Sequence, residues 1–110
     1  MIRRVLAQCT VSDLPRAEKW YTVLFGRSPD ARPMPGLLEW HLDDAFGLQV
    51  WSEPERAGRS TVVFEETDLD AAAAKAAKAG IAHDGPLPGG GARILPLADP
   101  DGNRVVFSGT

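Results

Sequence analysis

The chain has 110 residues, a formal charge of −3, 44% apolar and 25% charged residues, and a single cysteine. That length holds one domain rather than two independent cores, and the ordinary apolar content excludes a disordered chain. The basic residues are scattered, with Arg3 and Arg4 the only adjacent pair, which excludes a nucleic-acid surface; no apolar run is long enough to span a bilayer, and one cysteine cannot close an intrachain disulfide.

The N-terminus has a basic start without the apolar run of a signal peptide, so the cytoplasm is the expected compartment. Residues 3–11 alternate as a strand, with Val5, Ala7, Cys9 and Val11 on one face. Cys9, inside an apolar strand, is expected to be inert packing rather than a nucleophile. Ser12-Asp13 caps a helix that tolerates Pro15 in its first turn, carries Leu14, Ala17, Tyr21, Leu24 and Phe25 as its apolar stripe, and ends at Gly26. Residues 27–33 predict a short edge strand. After Gly36, residues 37–42 are a strand, 43–47 a turn and 48–51 another strand.

Residues 53–58, polar and holding Pro54 and Gly58, form a linker. The pattern then repeats: a strand at 60–66, a Thr67-Asp68 cap, an alanine-rich helix over 69–79 stopped by Gly80, and a short strand near Ile81 to His83. A glycine-rich loop at 89–91, a strand at 93–97, a turn at 98–102 and a strand at 104–108 complete it. Shifting the sequence by 55 superposes Asp13 on Asp68, Leu14 on Leu69, Gly36 on Gly91, Gly47 on Gly102 and Val50 on Val105. These matches fall on caps and turns, where backbone chemistry restricts the residue. The fold class is therefore α+β: one domain, 1–110, of two βαβββ modules, 1–52 and 59–110. A 55-residue unit buries too little apolar surface alone, so the halves must pack together.

Ala98 to Asn103 reads as a tight turn, with Pro100 presetting φ and Asp101-Gly102 supplying turn conformations. Asp99 or Asp101 could ligate a metal, but no calcium-loop pattern follows. Gly89-Gly90-Gly91 lacks the Lys-Ser/Thr of a phosphate loop and suits a flexible cover over a pocket. His41 and His83 have no helical metal-binding partner. Glu39 and His41, two apart on a strand, share a face and form either an acid–base pair or a solvated, hydrogen-bonded one.

The segments VSDLPRAEKWYTVLFG and TDLDAAAAKAAKAG and the closing DPDGNRVVF together resemble the vicinal-oxygen-chelate superfamily, which includes glyoxalase I, the extradiol dioxygenases and the bleomycin-resistance proteins. The resemblance spans about residues 4–108. It implies a mixed sheet curled into a cup with the helices outside, and a homodimer with the pocket near its interface. In metal-using members it implies ligands at Leu6 and Thr61 on the first strands and at Trp51 and Val106 on the last. A slip of two residues would substitute Gln8, Gln49, Val63 and Arg104. Neither set suits a hard divalent ion, so no metal and no cofactor is expected.

The same cup face carries Leu6, Gln8, Thr10, Gln49, Trp51, Thr61, Val63, Glu65, Arg104 and Val106, joined by Leu37, Glu39 and His41. Ligand contacts are expected from Gln8, Gln49, Trp51, Thr61, Glu65 and Arg104. Trp51 or Trp40 would stack on a planar ligand, and Glu39 or Glu65 would pair with a cationic one. The resemblance then implies a metal-independent, drug-sequestering binding protein of the bleomycin-resistance type. The alternative is a lyase, isomerase or other enzyme with Glu39, His41 or Glu65 as its base, and a third reading is a structural dimer with a vestigial cup.

Overall fold

A computed structural model describes residues 1–89 and 91–110. The first module runs β1 (Val5–Val11), α1 (Leu14–Phe25), β2 (Ala31–Met34), β3 (Leu37–Trp40) and β4 (Phe46–Ser52). A 3-10 turn at Pro54–Arg56 occupies the linker. The second module repeats the order with β5 (Thr61–Glu65), α2 (Leu69–Lys78), β6 (Leu87–Gly89), β7 (Ala92–Ala98) and β8 (Arg104–Gly109).

Each module makes a four-stranded sheet, ordered β1-β4-β3-β2 and β5-β8-β7-β6. The pairs β1–β4 and β5–β8 are parallel and the others antiparallel. The two halves of the expected cup are thus separate sheets. Their edge strands β1 and β5 touch without pairing, and they flank a cleft of about 360 Å³ lined by Val5, Ala7 and Phe46 on one side and Val62 and Phe64 on the other.

Local chemistry explains the helix ends. The Asp13 carboxylate accepts from the Arg16 N–H and the Asp68 carboxylate from the Ala71 N–H, which satisfies backbone donors that a helix start leaves free. The expected strand at Ile81 to His83 does not form. The Ile81 N–H bonds to the Ala76 carbonyl at 2.9 Å, the ring of His83 bonds to the Ala73 carbonyl at 3.0 Å, and the Gly85 N–H donates to His83 Nδ1 at 2.8 Å. Those bonds strap the segment to α2, and the edge strand forms later, as β6. In the first module the edge strand likewise begins only at Ala31. Of the expected glycine loop, Gly89 ends β6, Gly91 turns, and Gly90 lies outside the described residues.

One hydrophobic cluster serves both modules. Cys9, Val11, Leu38, Trp40, Leu48 and Val50 lie under Ala17, Tyr21 and Leu24 of α1, while Val62, Leu95, Leu97 and Val105 lie under Leu69, Ala73 and Ala76 of α2. Phe25 meets Phe64 edge-on at 6.1 Å, and Phe64 stacks on Phe107 at 5.6 Å, so aromatic contacts cross the junction.

The turn read from the sequence as a hairpin is also the bolt between modules. Asp99 and Asn103 are buried within it. Tyr21 of α1 donates to Asp99 Oδ2 at 2.7 Å, and Asn103 Nδ2 donates to the same oxygen and to the Thr10 carbonyl, each at 2.7 Å. Asn103 Oδ1 accepts from the Ser60 N–H at 2.8 Å. Asp101 accepts from the Ser12 N–H and hydroxyl across the junction. Gly58 completes the joint: its φ is +84°, and a Cβ there would lie 2.4 Å from the Asp101 carbonyl oxygen. Neither Asp99 nor Asp101 is free to act as a metal ligand.

Candidate functional site

The faces turned away from the shared core carry the candidate site. On the first sheet, pairing sets Gln8 directly opposite Gln49 and Gln49 directly opposite Glu39, and strand alternation puts His41 on the face of Glu39. Neighbours across a ladder stand close enough for side chains to bond. They do so continuously: Gln8 Nε2 donates to Gln49 Oε1 at 2.9 Å, Gln49 Nε2 donates to Glu39 Oε2 at 2.6 Å, and His41 Nε2 meets Glu39 Oε1 at 2.8 Å.

The hydrogen bond from His41, and next that from Gln49, hold the Glu39 carboxyl below its ordinary range. Its side chain is only 13% exposed, so it is poorly placed to meet a ligand directly, whereas His41 is 29% exposed. The backbone of His41 is pinned by its N–H to Asp30 Oδ2 and by Arg27 Nη2 to its carbonyl, both at 2.7 Å. Arg27 and Asp30 also pair with each other.

Trp51 shares this face, whereas Trp40, the other tryptophan expected to stack on a ligand, points to the opposite face and is buried in the core with its indole N–H on the Arg27 carbonyl. The Trp51 Nε1–H donates to Glu53 Oε1 at 2.9 Å. A Cβ on Gly36 would come within 3.3 Å of the ring, and Gly36 itself has φ +87°, so glycine is what lets the indole lie on that turn.

The second sheet contributes different chemistry. Thr61 lies opposite Arg104 at one end, Glu65 opposite Ser108 at the other, and Val63 opposite Val106 between them. A groove of about 750 Å³ runs along this face, lined by Val63, Glu65, Ile94, Val106, Ser108 and Thr110. Glu65 is exposed and stands outside the hydrogen-bonded chain of the first sheet.

The structure therefore brings Gln8, Gln49, Glu39 and His41 together, and leaves Thr61, Glu65 and Arg104 on the other sheet. The continuity of the chain and its support from Arg27 and Asp30 were not read from the sequence. The signal was present in part, because the turn between β3 and β4 sets Glu39 against Gln49 once its length is known.

Strand registers also test the metal positions. Leu6 faces Gly47, Trp51 faces Thr10, Thr61 faces Arg104 and Val106 faces Val63. Gln8 pairs with Gln49, but Val63, its counterpart 55 residues on, pairs with Val106 and not Arg104; the modules differ by two residues in how their central strands align. The level of Gln8 thus holds two amides already engaged with each other, and the matching level of the second module holds two valines. That set does not fit a divalent ion. Among the described residues, no group of three or more His, Cys, Asp and Glu side chains is arranged to hold one.

No family model matches the sequence, and no curated protein matches it. Solved structures do match. A glyoxalase/bleomycin resistance protein from Catenulispora acidiphila is 28% identical over 98% of both chains, with a TM-score of 0.89. A bleomycin-binding protein complexed with bleomycin is 18% identical over 97% of this chain and 98% of that one, with a TM-score of 0.82. A lactoylglutathione lyase from Agrobacterium tumefaciens is 16% identical over 96% and 92%, with a TM-score of 0.77. The last two likenesses show the fold alone. With a βαβββ unit used twice, sheets of order 1-4-3-2 in both halves and full-length overlap with these structures, the chain has the fold of the vicinal-oxygen-chelate superfamily of glyoxalase and bleomycin-resistance proteins.

Proposed function

We propose that this protein binds a small molecule without a metal and sequesters it, in the manner of a drug-binding protein. The observation that carries the reading is the division of the open face. One sheet offers a connected polar chain beside Trp51, and the other offers an apolar groove large enough for a drug-sized ligand. Small-molecule sites combine an apolar wall with a few convergent polar groups in this way. A structure of the same fold holds bleomycin. The same reading takes a homodimer as the assembly, supported by exposed Val5 and Val63 on the edge strands β1 and β5 and exposed Phe46 on the neighbouring β4.

The direct test is titration of the protein with bleomycin and with planar cationic drugs, followed by Trp51 fluorescence, with Trp51→Phe as the control. Saturable quenching lost in the variant, with the ligand recovered unchanged by mass spectrometry, supports sequestration. No response across the panel removes the reading.

A second reading rests on the Glu39–His41 bond. A carboxylate that orients an imidazole is an acid–base arrangement, and it suits a metal-independent lyase or isomerase. Conversion of a bound ligand, abolished in His41→Ala while binding persists, would favour that reading over sequestration.

A further inference from the structure

We propose that Glu39 sets the direction of the hydrogen-bonded chain across the first sheet, so that both open ends present acceptors and the site selects ligands that donate hydrogen bonds. The preferred class is an amidinium, guanidinium or ammonium group on a flat apolar body. This rests on the small-molecule-binding reading and names its ligand chemistry.

The direction follows from donor and acceptor inventories. A carboxylate has no proton to give, so the Gln49 atom 2.6 Å from Glu39 Oε2 must be its NH₂ group. The other Gln49 terminus is then a carbonyl, and the Gln8 atom 2.9 Å from it must again be an NH₂. Gln8 is left with its own carbonyl oxygen, exposed on β1 beside the second N–H of the same amide, and no donor among the described residues reaches that oxygen. At the other end Nε2 of His41 meets Glu39 Oε1, and whenever the ring is neutral with its proton on Nε2, Nδ1 is a lone-pair acceptor.

Both Glu39 oxygens are thus engaged, and its negative charge is exported through aligned dipoles to Gln8 and His41 rather than offered directly. In this reading a cation meets the ends of the chain rather than Glu39 itself. Had position 39 been an amide, the chain could run either way and the site would have no fixed polarity. Of the nearby cations, Arg27 is tied to Asp30 and the His41 carbonyl, and Arg4 bonds the Asp44 carbonyl.

The test uses two probes of one shape and opposite character, benzamidine hydrochloride and sodium benzoate, titrated at pH 8 and followed by NMR of the glutamine side-chain amides and the Trp51 indole. Benzamidinium is expected to bind about tenfold more tightly than benzoate. Gln8→Met leaves every charge in place and removes the open acceptor on β1. It is expected to weaken benzamidinium about threefold or more and to weaken benzoate less. Glu39→Gln should bring the two affinities close together. Equal binding of the two probes, a preference for benzoate, or a preference that survives Gln8→Met unchanged would overturn the directional chain while leaving the binding reading intact. Binding of neither probe would overturn the proposed ligand class, and the bleomycin titration then decides the binding reading separately.

Discussion

Asn103 is fully buried, and its amide joins β1, the linker end at Ser60 and the Asp99 carboxylate. Truncation leaves the Ser60 N–H without its partner and takes one of two donors from the Thr10 carbonyl, the Gly58 N–H remaining. Asn103→Ala is expected to cost about 2–4 kcal/mol, read as a lower urea midpoint at constant slope. Asn103→Asp should cost more, because it sets a second carboxylate against Asp99. Tyr21 belongs to the same cluster. Burial, then the neighbouring Cys9 and Asp99, push its phenol above the ordinary range, so it stays protonated and donates.

Cys9 lies beside that cluster with no exposed surface, and burial pushes its thiol up to about 11. Nucleophilic attack needs the thiolate and access, and Cys9 has neither. The native protein is expected to resist a disulfide reagent such as DTNB at pH 8 for as long as it stays folded, and to react fully in urea. Fast native labelling would contradict the packing of β1 against α1.

Glu39 carries the acid sensitivity of the candidate site. Its folded-state carboxyl titrates below its unfolded one, so its contribution to stability is fully present above the ordinary carboxylate range and is lost as pH falls through the lowered folded value. Asp30, Glu18 and Asp70 are shifted in the same direction by their arginine partners. The informative measurement is therefore a difference: Glu39→Gln should show a shallower loss of stability between about pH 5 and pH 3 than the parent. Parallel profiles would mean that the His41 and Gln49 bonds do not persist in solution.

At the level of elements, α2 depends on its ends more than α1 does. Its buried residues are Leu69, Ala73 and Ala76, whereas α1 buries Tyr21 and Leu24 besides Ala17. Asp68→Ala removes the bond to the Ala71 N–H and should cost about 1 kcal/mol. Ala73→Leu should cost about 1–3 kcal/mol, since α2 approaches its sheet as closely as alanine permits. Thermal unfolding followed by circular dichroism measures both. The helices were legible because a cap residue, an apolar stripe and a stop residue act within one or two turns. The strand expected at Ile81 to His83 was misread because the partner of the Ile81 N–H is the last turn of α2, and a hydrogen bond to a helix leaves no mark in a three-residue apolar segment.

Across the whole molecule, the junction bonds and the shared aromatic contacts couple the modules. All three tryptophans, Trp20, Trp40 and Trp51, lie in the first module, so fluorescence reports that half, while far-ultraviolet circular dichroism reports both. The two probes are expected to give coincident urea transitions. Separated midpoints would show that the modules unfold independently, against the bonding of Asn103, Asp101 and Tyr21.

The sequence by itself determined the architecture: the doubled βαβββ order, the caps at Asp13 and Asp68, the turn at Asp99 to Asn103, and which strand residues share a face. Each of these depends on backbone preferences or two-residue alternation, which operate over a few residues. Only the tertiary structure decided how that face is arranged. It joined Gln8, Gln49, Glu39 and His41 into one chain, kept Glu65 and Arg104 on a separate sheet, and turned a surface-looking Asp-Asn turn into the bolt between modules. Those outcomes depend on strand register and on partners up to about ninety residues away. A shift of two residues in register preserves every face while changing every neighbour, so alternation alone cannot reveal it.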